Sequence, residues 1–407
     1  MSPAAHSAVD GLDALLHARR DAYRAFYGAE AARVSELCHR MAERFARGGR
    51  LIAFGASAAD RSDVRHVAVE FVHPVIVGKR ALPAFGIGAD EVGLVCGGED
   101  IVMAFGEDED ERERGVLRAG VAAARAAGAL TIAFAPVGAE WELRPGTDDP
   151  FVAQELVETT YHLLWELVHV FFEHRGLLEG RSAGAVHDTG ASSFLYPFLA
   201  EAEDDLGAVL ADVRASVLAK ADEVGALRAQ TLGEGGAVIA AATRALRTSL
   251  DGGGCVLALG NGGSATDAMD LVADLRHPPA RSAGAPLLRP RRAVDLTEDP
   301  AILTAIANDV GHEAVFARQV IAYGRPGDVV VALSTSGGSA NVLSALAEAR
   351  RRGLVTIALV GYDGGRIAAE HLADHVVVTR SEHIPRIQEA QATVLHALRL
   401  LIEEPVP

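Results

Sequence analysis

The stretch GGGCVLALGNGGSATDAMDLVADLRHP, residues 252–278, decides how the chain folds. It reads as a glycine turn, a short apolar strand, a second glycine turn and a helix, which is the opening of a strand–helix unit in a parallel sheet. The pattern occurs earlier as well. GGRLIAFGAS (48–57) lies over GGGCVLALGNG (252–262), and HVAVEFVHP (66–74) lies over DLVADLRHP (270–278). DIVMAFGEDEDE (100–111) lies over DVVVALSTSGGS (328–339), and GALTIAFAP (128–136) over GLVTIALVG (353–361). Finally AQELVETTYHLLWELV (153–168) lies over IQEAQATVLHALRLLI (387–402), with Gln and His eight residues apart in both. Five matches in one order read as a tandem duplication.

Each copy opens with a long Ala-rich helix, over about 7–47 and about 201–250, and closes with an apolar helix. Strands alternating with helices between them predict an α/β fold: a parallel sheet between two helical layers, once per copy. The small, polar, aperiodic stretch 175–194 predicts a linker, giving an N-terminal domain over 1–180 and a C-terminal domain over 200–407. The first copy is about thirty residues shorter where the second carries VDLTEDPAILTAIANDVGHEAVF (294–316).

The acidic balance, net −17, argues against nucleic acid or an anionic membrane as partner. No apolar run reaches 18 residues, and the N-terminus lacks a basic segment followed by an apolar core. Cys38, Cys96 and Cys255 are scattered without CxxC spacing. These features predict a cytoplasmic protein with reduced cysteines.

In the second copy two strands end in anion-binding turns. LALGNGGSATDAM (257–269) brings backbone amides and the Ser264 hydroxyl to a helix start, and VVALSTSGGSANV (330–342) stacks Ser334, Thr335, Ser336 and Ser339 at another. GNGGS, STSGGSAN, and RIQE with a His eight residues after the Gln together resemble the sugar-isomerase (SIS) domain family. Within it they are most similar to the phosphoheptose isomerases, which act on sedoheptulose 7-phosphate in heptose biosynthesis. The resemblance covers residues 201–405, with the first half a fainter version. It implies two tandem SIS domains of flavodoxin-like three-layer form, subunits assembled as a tetramer, and sites at subunit interfaces. It also implies zinc, held by a His and a Glu on the helix after GNGGS and by the Gln and His of the last helix.

The second copy departs from that pattern, with Asp270 and Asp274 where the His and Glu belong; the first copy has His66 and Glu70 there. Conversely, the first copy has lost the phosphate turns: GNGGS has become GASAA (55–59), and STSGGS has become the acid run 106–111. Each copy is thus broken where the other is intact. The expectation is a composite site, in which two copies stand in for two subunits. Its phosphate grip is Asn261, Gly262, Gly263, Ser264, Ser334, Thr335, Ser336 and Ser339, with Asp309 in support. Its metal ligands are His66, Glu70, Gln388 and His396, and its catalytic groups are Glu70 as base and His396 as proton relay. A second pocket, with the acid run, Asp270 and Asp274, is expected to be silent. Residues eight apart on a helix lie roughly 12 Å apart along it. Gln154 and His162 therefore stay open as the alternative pair, as does metal binding by Asp270 and Asp274. Lys79 and Arg80 are further candidates for charge near the phosphate.

The implied reaction is aldose–ketose isomerisation of sedoheptulose 7-phosphate to a heptose 7-phosphate of glycero-manno type through an enediol. The alternative is a non-catalytic sugar-phosphate sensor or scaffold. Two chains are expected to pair as a homodimer, a pseudo-tetramer of SIS domains, because the long apolar helices need partners for their stripes.

Overall fold

The computed structural model describes residues 3–57, 59–75, 79–106, 111–174, 177–178, 205–281 and 287–403. The first half runs α1 (Pro3–Ala46), β1 (Leu51–Gly55), α2 (Arg61–Val72), β2 (Ala84–Gly86), α3 (Val92–Val95), β3 (Ile101–Phe105), α4 (Glu111–Ala126), β4 (Leu130–Ala133), β5 (Trp141–Glu142) and α5 (Pro150–Glu173). The second half opens with α6 (Leu206–Asp251), β6 (Val256–Leu259), α7 (Gly263–Arg276), β7 (Ala293–Asp295), α8 (Pro300–Asp309) and α9 (Val315–Tyr323). It continues with β8 (Val329–Ser334), α10 (Ala340–Arg351), β9 (Val355–Val360), α11 (Gly365–Ala369), β10 (His375–Val378) and α12 (Ile384–Leu401). The linker expected over 175–194 lies outside the described residues, apart from 177 and 178. Among the described residues no helix is long and apolar enough to cross a membrane.

Both halves build a five-stranded parallel sheet with one strand order. The first reads β2-β1-β3-β4-β5, and the second, taken from the β7 edge, reads β7-β6-β8-β9-β10. The fold class is therefore the expected α/β arrangement, two parallel sheets in tandem flanked by helices. Strand alternation explains the layering of the second sheet. Val256, Ala258, Val329, Val331 and Leu333 point to one face, where Leu246, Leu271, Leu275, Val394 and Leu398 of the helices cover them. Leu257, Leu259, Val330 and Ala332 point to the other face and meet Phe316, Val320 and Leu346. The first sheet repeats one of these faces, with Ile52, Phe54, Val102 and Ala104 against Leu117, Val121 and Ala124 of α4. Strand β7 has its counterpart in β2; what the first copy lacks is α8 and the start of α9, for which it has only the 3-10 turn Ala89–Glu91 and the single turn α3.

The chain divides into two compact units, and both are discontinuous. The C unit consists of residues 1–21, 147–155 and 223–407; the N unit consists of 22–146 and 156–222. The helices α1, α5 and α6 are thus shared out part-way along their length, so the units do not coincide with two halves cut at a linker. Within the C unit, α12 is buried from Pro385 to Leu401. Its apolar stripe is covered inside the chain.

In this strand order the chain reverses direction between β1 and β3, and between β6 and β8, and such switch points are where parallel sheets open a ligand crevice. The turns after β6 and β8 carry the two serine- and glycine-rich motifs. The first turn is tight: a Cβ on Gly260 would fall 2.2 Å from the carbonyl oxygen of Ser264. Gly262 adopts φ +57°, the left-handed region, immediately before α7. Replacing Gly260 by Ala should therefore destabilise the chain by about 1–3 kcal/mol, read as a fall in the urea midpoint; an unchanged midpoint would mean that the turn relaxes freely.

Candidate active site

In the C unit the two turns are tied together. Asn261 and Asn341 exchange side-chain hydrogen bonds, Nδ2 to Oδ1 at 2.9 Å in one direction and 2.8 Å in the other. Ser334, the last residue of β8, lies with its Oγ 3.5 Å from the Oγ of Ser339, and the Gly338 amide donates to Ser336 Oγ at 3.3 Å. Ser264 is buried in the first turn of α7, and Gly263 is buried beside it, while Gly262 and Ser336 are exposed. Thr335 is half-buried between the serines. Of the expected phosphate-binding residues, Asp309 stands apart: it is exposed at the end of α8, where Oδ1 accepts from Asn308 Nδ2 at 2.8 Å.

The matching turn of the N unit is already filled. The carboxylate of Asp60 accepts from the amides of Ala56 and Ser57 at 2.9 and 2.8 Å through one oxygen, Oδ2. A Cβ at Gly106, just past β3, would lie 3.5 Å from that same oxygen. Asp60 thus sits at both strand ends of the switch point, where a bound anion would sit. Counted back six residues from His66, Asp60 occupies the place that Ser264 holds six before Asp270. Burial raises the Asp60 pKa, and the hydrogen bonds at Ser57 and Ala56 oppose that rise. The acid run lies outside the described residues apart from Gly106 and Glu111, of which Glu111 opens α4 and pairs with Arg114 and Arg118.

Below that turn the N unit buries a cluster of ionisable groups. His66 and Glu70 project from α2 one turn apart, with His66 Nε2 3.9 Å from Glu70 Oε1. From α5, His162 brings its Nε2 to 3.2 Å from His66 Nε2. One ligand atom each of His66, Glu158 and His162 lies within 4.8 Å of the others, and all three residues are buried. Burial, then the neighbouring His162, lowers the His66 pKa well below its usual value, so the ring is neutral and has a lone pair to offer. Burial, then the charge of Glu166, pushes Glu70 up to about 8, and its Oε2 has no hydrogen-bond partner. An orphaned buried carboxylate oxygen beside the neutral His66 ring, with a second imidazole at His162, fits a divalent cation. Lys79 is buried 3.5 Å from Glu173, and Arg80 lies over the ring of Phe172.

The C unit has a different centre. Glu155 of α5 is fully buried and accepts from Arg19 Nε and Nη2, from Thr393 Oγ1 at 2.8 Å, and meets Arg228 at 3.3 Å. His396 Nδ1 lies 2.7 Å from Glu155 Oε1, and its Nε2 lies 3.8 Å from both Asp270 and Asp274. Burial alone would lower the His396 pKa; hydrogen bonding to Asp270 and Glu155 and the charge of Asp274 overcome it and raise it to about 9. This ring is an imidazolium with a carboxylate at each nitrogen. Burial would raise Glu155, but Arg19, Arg228 and His396 hold it well below the usual carboxylate range.

The four metal ligands expected from the sequence therefore fall on two units: His66 and Glu70 in the N unit, Gln388 and His396 in the C unit. Of the alternative pair, His162 is the imidazole beside His66, whereas Gln154 belongs to the C unit. Asp270 and Asp274, expected to be silent, are neighbours of His396. Sequence reasoning missed Asp60, Glu155 and Glu158. The Glu of RIQE, matched by the Glu of AQE at 155, was a visible signal for the second of these.

Comparison with known proteins now decides the family. Residues 221–361 match the SIS domain. The phosphoheptose isomerase of Rhodospirillum rubrum is 42% identical over 173 residues, which is 42% of this chain and 88% of that protein. This chain belongs to the phosphoheptose isomerase family of SIS-domain proteins. As a member it is an aldose–ketose isomerase. The phosphoheptose isomerase of Geotalea daltonii is 46% identical over 168 residues, covering 41% and 83% of the two chains. These relatives span one half of the chain; solved structures of the same fold span both. A protein described as a tagatose-6-phosphate ketose/aldose isomerase, from Clostridium novyi, aligns with 96% of this chain and 88% of its own at TM-score 0.59 and 8% identity. The C-terminal domain of a glucosamine-fructose-6-phosphate aminotransferase from Francisella tularensis aligns over 96% and 94% at TM-score 0.57 and 11% identity. At such identities the likeness is one of fold alone.

Two measurements test the site as described. A histidine with a raised pKa contributes stability that is fully present below the unfolded value of 6.5 and is lost as pH rises through about 9. The thermal midpoint should therefore fall across that window in the native isomerase, and the slope should vanish in His396→Asn. Separately, Asp60→Ser should lower the midpoint, and millimolar inorganic phosphate should restore it more than it stabilises the native chain. If phosphate acts equally on both, the freed amides do not form an anion site.

Proposed function

We propose that the chain converts sedoheptulose 7-phosphate into a heptose 7-phosphate of glycero-manno type through a cis-enediol, at a composite site. One observation carries this reading: the turns that can receive a phosphate and the neutral His–carboxylate cluster occur on different units. The N unit has the cluster but fills its own turn with Asp60. The C unit keeps hydroxyls and glycines at its turns; its own cluster, Asp270, Asp274 and His396 with one ligand atom each within 4.8 Å of the others, has a single imidazole, whose other nitrogen is held by Glu155. Among the described residues the cluster with two imidazoles is the one in the N unit.

In this reading Asn261, Gly262, Gly263, Ser264, Ser334, Thr335, Ser336 and Ser339 fix the phosphate and so orient the carbon chain, with Asp309 in a supporting place. Glu70 takes the proton from the carbon beside the carbonyl and returns it to the neighbouring carbon. A carboxylate raised to about 8 by burial is a far stronger base than an exposed one, and water is excluded around it. His396, kept protonated, has the proton that the oxygen side of an enediol step requires. Zinc bound at His66 would polarise the carbonyl and offset charge on the enediolate oxygen. Pairing of two chains into a homodimer of four SIS-like units is part of the same reading, and sedimentation at micromolar concentration tests it.

The test of the composite site is kcat on sedoheptulose 7-phosphate for two single mutants in different units. Glu70→Gln should lose roughly two to four decades in rate. Ser336→Glu, which puts a like charge in the phosphate turn, should abolish activity with the fold intact. Full activity in Glu70→Gln would leave a self-contained C-terminal enzyme as the answer.

A further inference from the structure

The C unit carries a second cleft, at the end of its sheet where the strands begin. Cys255 precedes β6, Arg292 precedes β7, Asp328 precedes β8 and Val355 opens β9, and all four line a cavity of about 800 Å³. The serine- and glycine-rich turns follow the four residues of β6 and the six of β8. The two places are therefore a strand's length apart, roughly 13–20 Å. A cavity of that volume is the size of small-molecule sites. Its charge runs against that of the chain, which is net −17: three arginines, Arg244 near the end of α6, Arg292 and Arg325, stand around it.

The protein does not cancel these charges. Among the described residues Arg244 and Arg325 make no side-chain hydrogen bond or ion pair. Arg292 donates from Nη1 to the carbonyl of Gly253 at 2.8 Å, which orients the guanidinium without neutralising it. The acid in the cleft wall, Asp328, is taken up by the backbone: Oδ1 accepts from the Cys255 amide at 2.8 Å and Oδ2 from the Arg325 amide at 2.9 Å. Arg325 also opens a tight turn through Pro326 and Gly327, the latter at φ +95°, closed by the Asp328 amide on the Arg325 carbonyl at 3.0 Å. The N unit supplies the contrast. Leu51 pairs with Ile101 as Val256 pairs with Val329, which sets Asp100 in the place of Asp328 and Arg50 in the place of Cys255. There Arg50 Nη2 meets Asp100 Oδ2 at 2.7 Å, and Arg47 meets Glu99 at 2.7 Å. One sheet end is neutralised from within, and the other presents three positive charges to a cavity.

We infer that this cleft binds a nucleoside diphosphate. A phosphate monoester carries at most about two negative charges, whereas three guanidinium groups match a diphosphate and can donate to its oxygens in pairs. The ring of Tyr323, the last residue of α9, lines the same cleft, is 42% exposed and has no ring partner among the described residues. It offers a stacking face to a base. The site is distinct from the sugar-phosphate turns, and the inference does not rest on the proposed reaction.

The experiment is calorimetric titration of the full chain with ADP, GDP and inorganic pyrophosphate. Arg244→Glu and Arg325→Glu should each weaken both nucleotides by at least about tenfold, since each removes a charge-assisted contact and adds a like charge. Tyr323→Ala should weaken the nucleotides roughly five- to hundredfold and leave pyrophosphate within about twofold of the native chain. All three side chains are exposed, so melting curves should remain native and the lost binding reports the cleft itself. Ser336→Glu, which blocks a turn at the other end of the sheet, should bind ADP as the native chain does. A native chain that takes up neither nucleotide at millimolar concentration overturns the inference, as does full affinity in both arginine variants. ADP binding lost in Ser336→Glu would place the nucleotide in the sugar-phosphate turns instead. Nucleotide affinity unchanged in Tyr323→Ala would reduce the cleft to a general anion site and sink its assignment to a nucleoside.

Discussion

The C unit is organised around the buried carboxylate of Glu155. It is contributed by the first half of the sequence, yet its partners are Arg19 on α1, Arg228 on α6, and Thr393 and His396 on α12. Three cationic side chains and one hydroxyl converge on two oxygens inside a dry core. Such an arrangement is not a source of large net stability, since desolvating the charges offsets most of their attraction. Its effect is on specificity: removing one member strands the others, at about 3–5 kcal/mol, so helices from both ends of the chain are held in one register. This explains why residues 147–155 and 1–21 pack with the second sheet and not with the sheet that lies between them in sequence.

The same network sets the chemistry of the second copy. A histidine with Glu155 at one ring nitrogen and two aspartates near the other retains its proton throughout the neutral range. In the N unit His66 and His162 meet nitrogen to nitrogen, with the carboxylates of Glu70 and Glu158 nearby. The two clusters differ in their balance of groups: one imidazole among three carboxylates in the C unit, two imidazoles in the N unit.

Much of the fold was legible because strand alternation and glycine turns are local signals. The five pairwise matches predict two sheets of like order, and both sheets have that order. The two serine- and glycine-rich turns were legible for the same reason, since Gly262 at positive φ and the run of serines are set by local sequence. Partner choice among long helices was not. Periodicity in α1, α5 and α6 shows that a face is buried but not against what, so the discontinuous units could not be read. The buried His–Glu cluster of α2 and α5 was half legible. His66 and Glu70 lie one turn apart on a single helix, whereas Glu158 matters only through a crossing between α2 and α5. The spacing of eight between Gln and His drew attention to the ends of a two-turn segment; His162 at one end meets His66, and Glu158 in the middle reaches both rings.

Asp60 has a consequence for how the protein responds to its surroundings. A carboxylate tethered four residues from the amides it occupies competes with dissolved anions as an intramolecular ligand, at an effective concentration in the millimolar range or above. Cellular swings in free phosphate or sugar phosphate leave such a turn saturated. The turn of the N unit is therefore held in its closed arrangement by the chain itself, with its ordering entropy already spent during folding. Its amides at Ala56 and Ser57 answer to a side chain three or four residues away, not to what is dissolved around the protein.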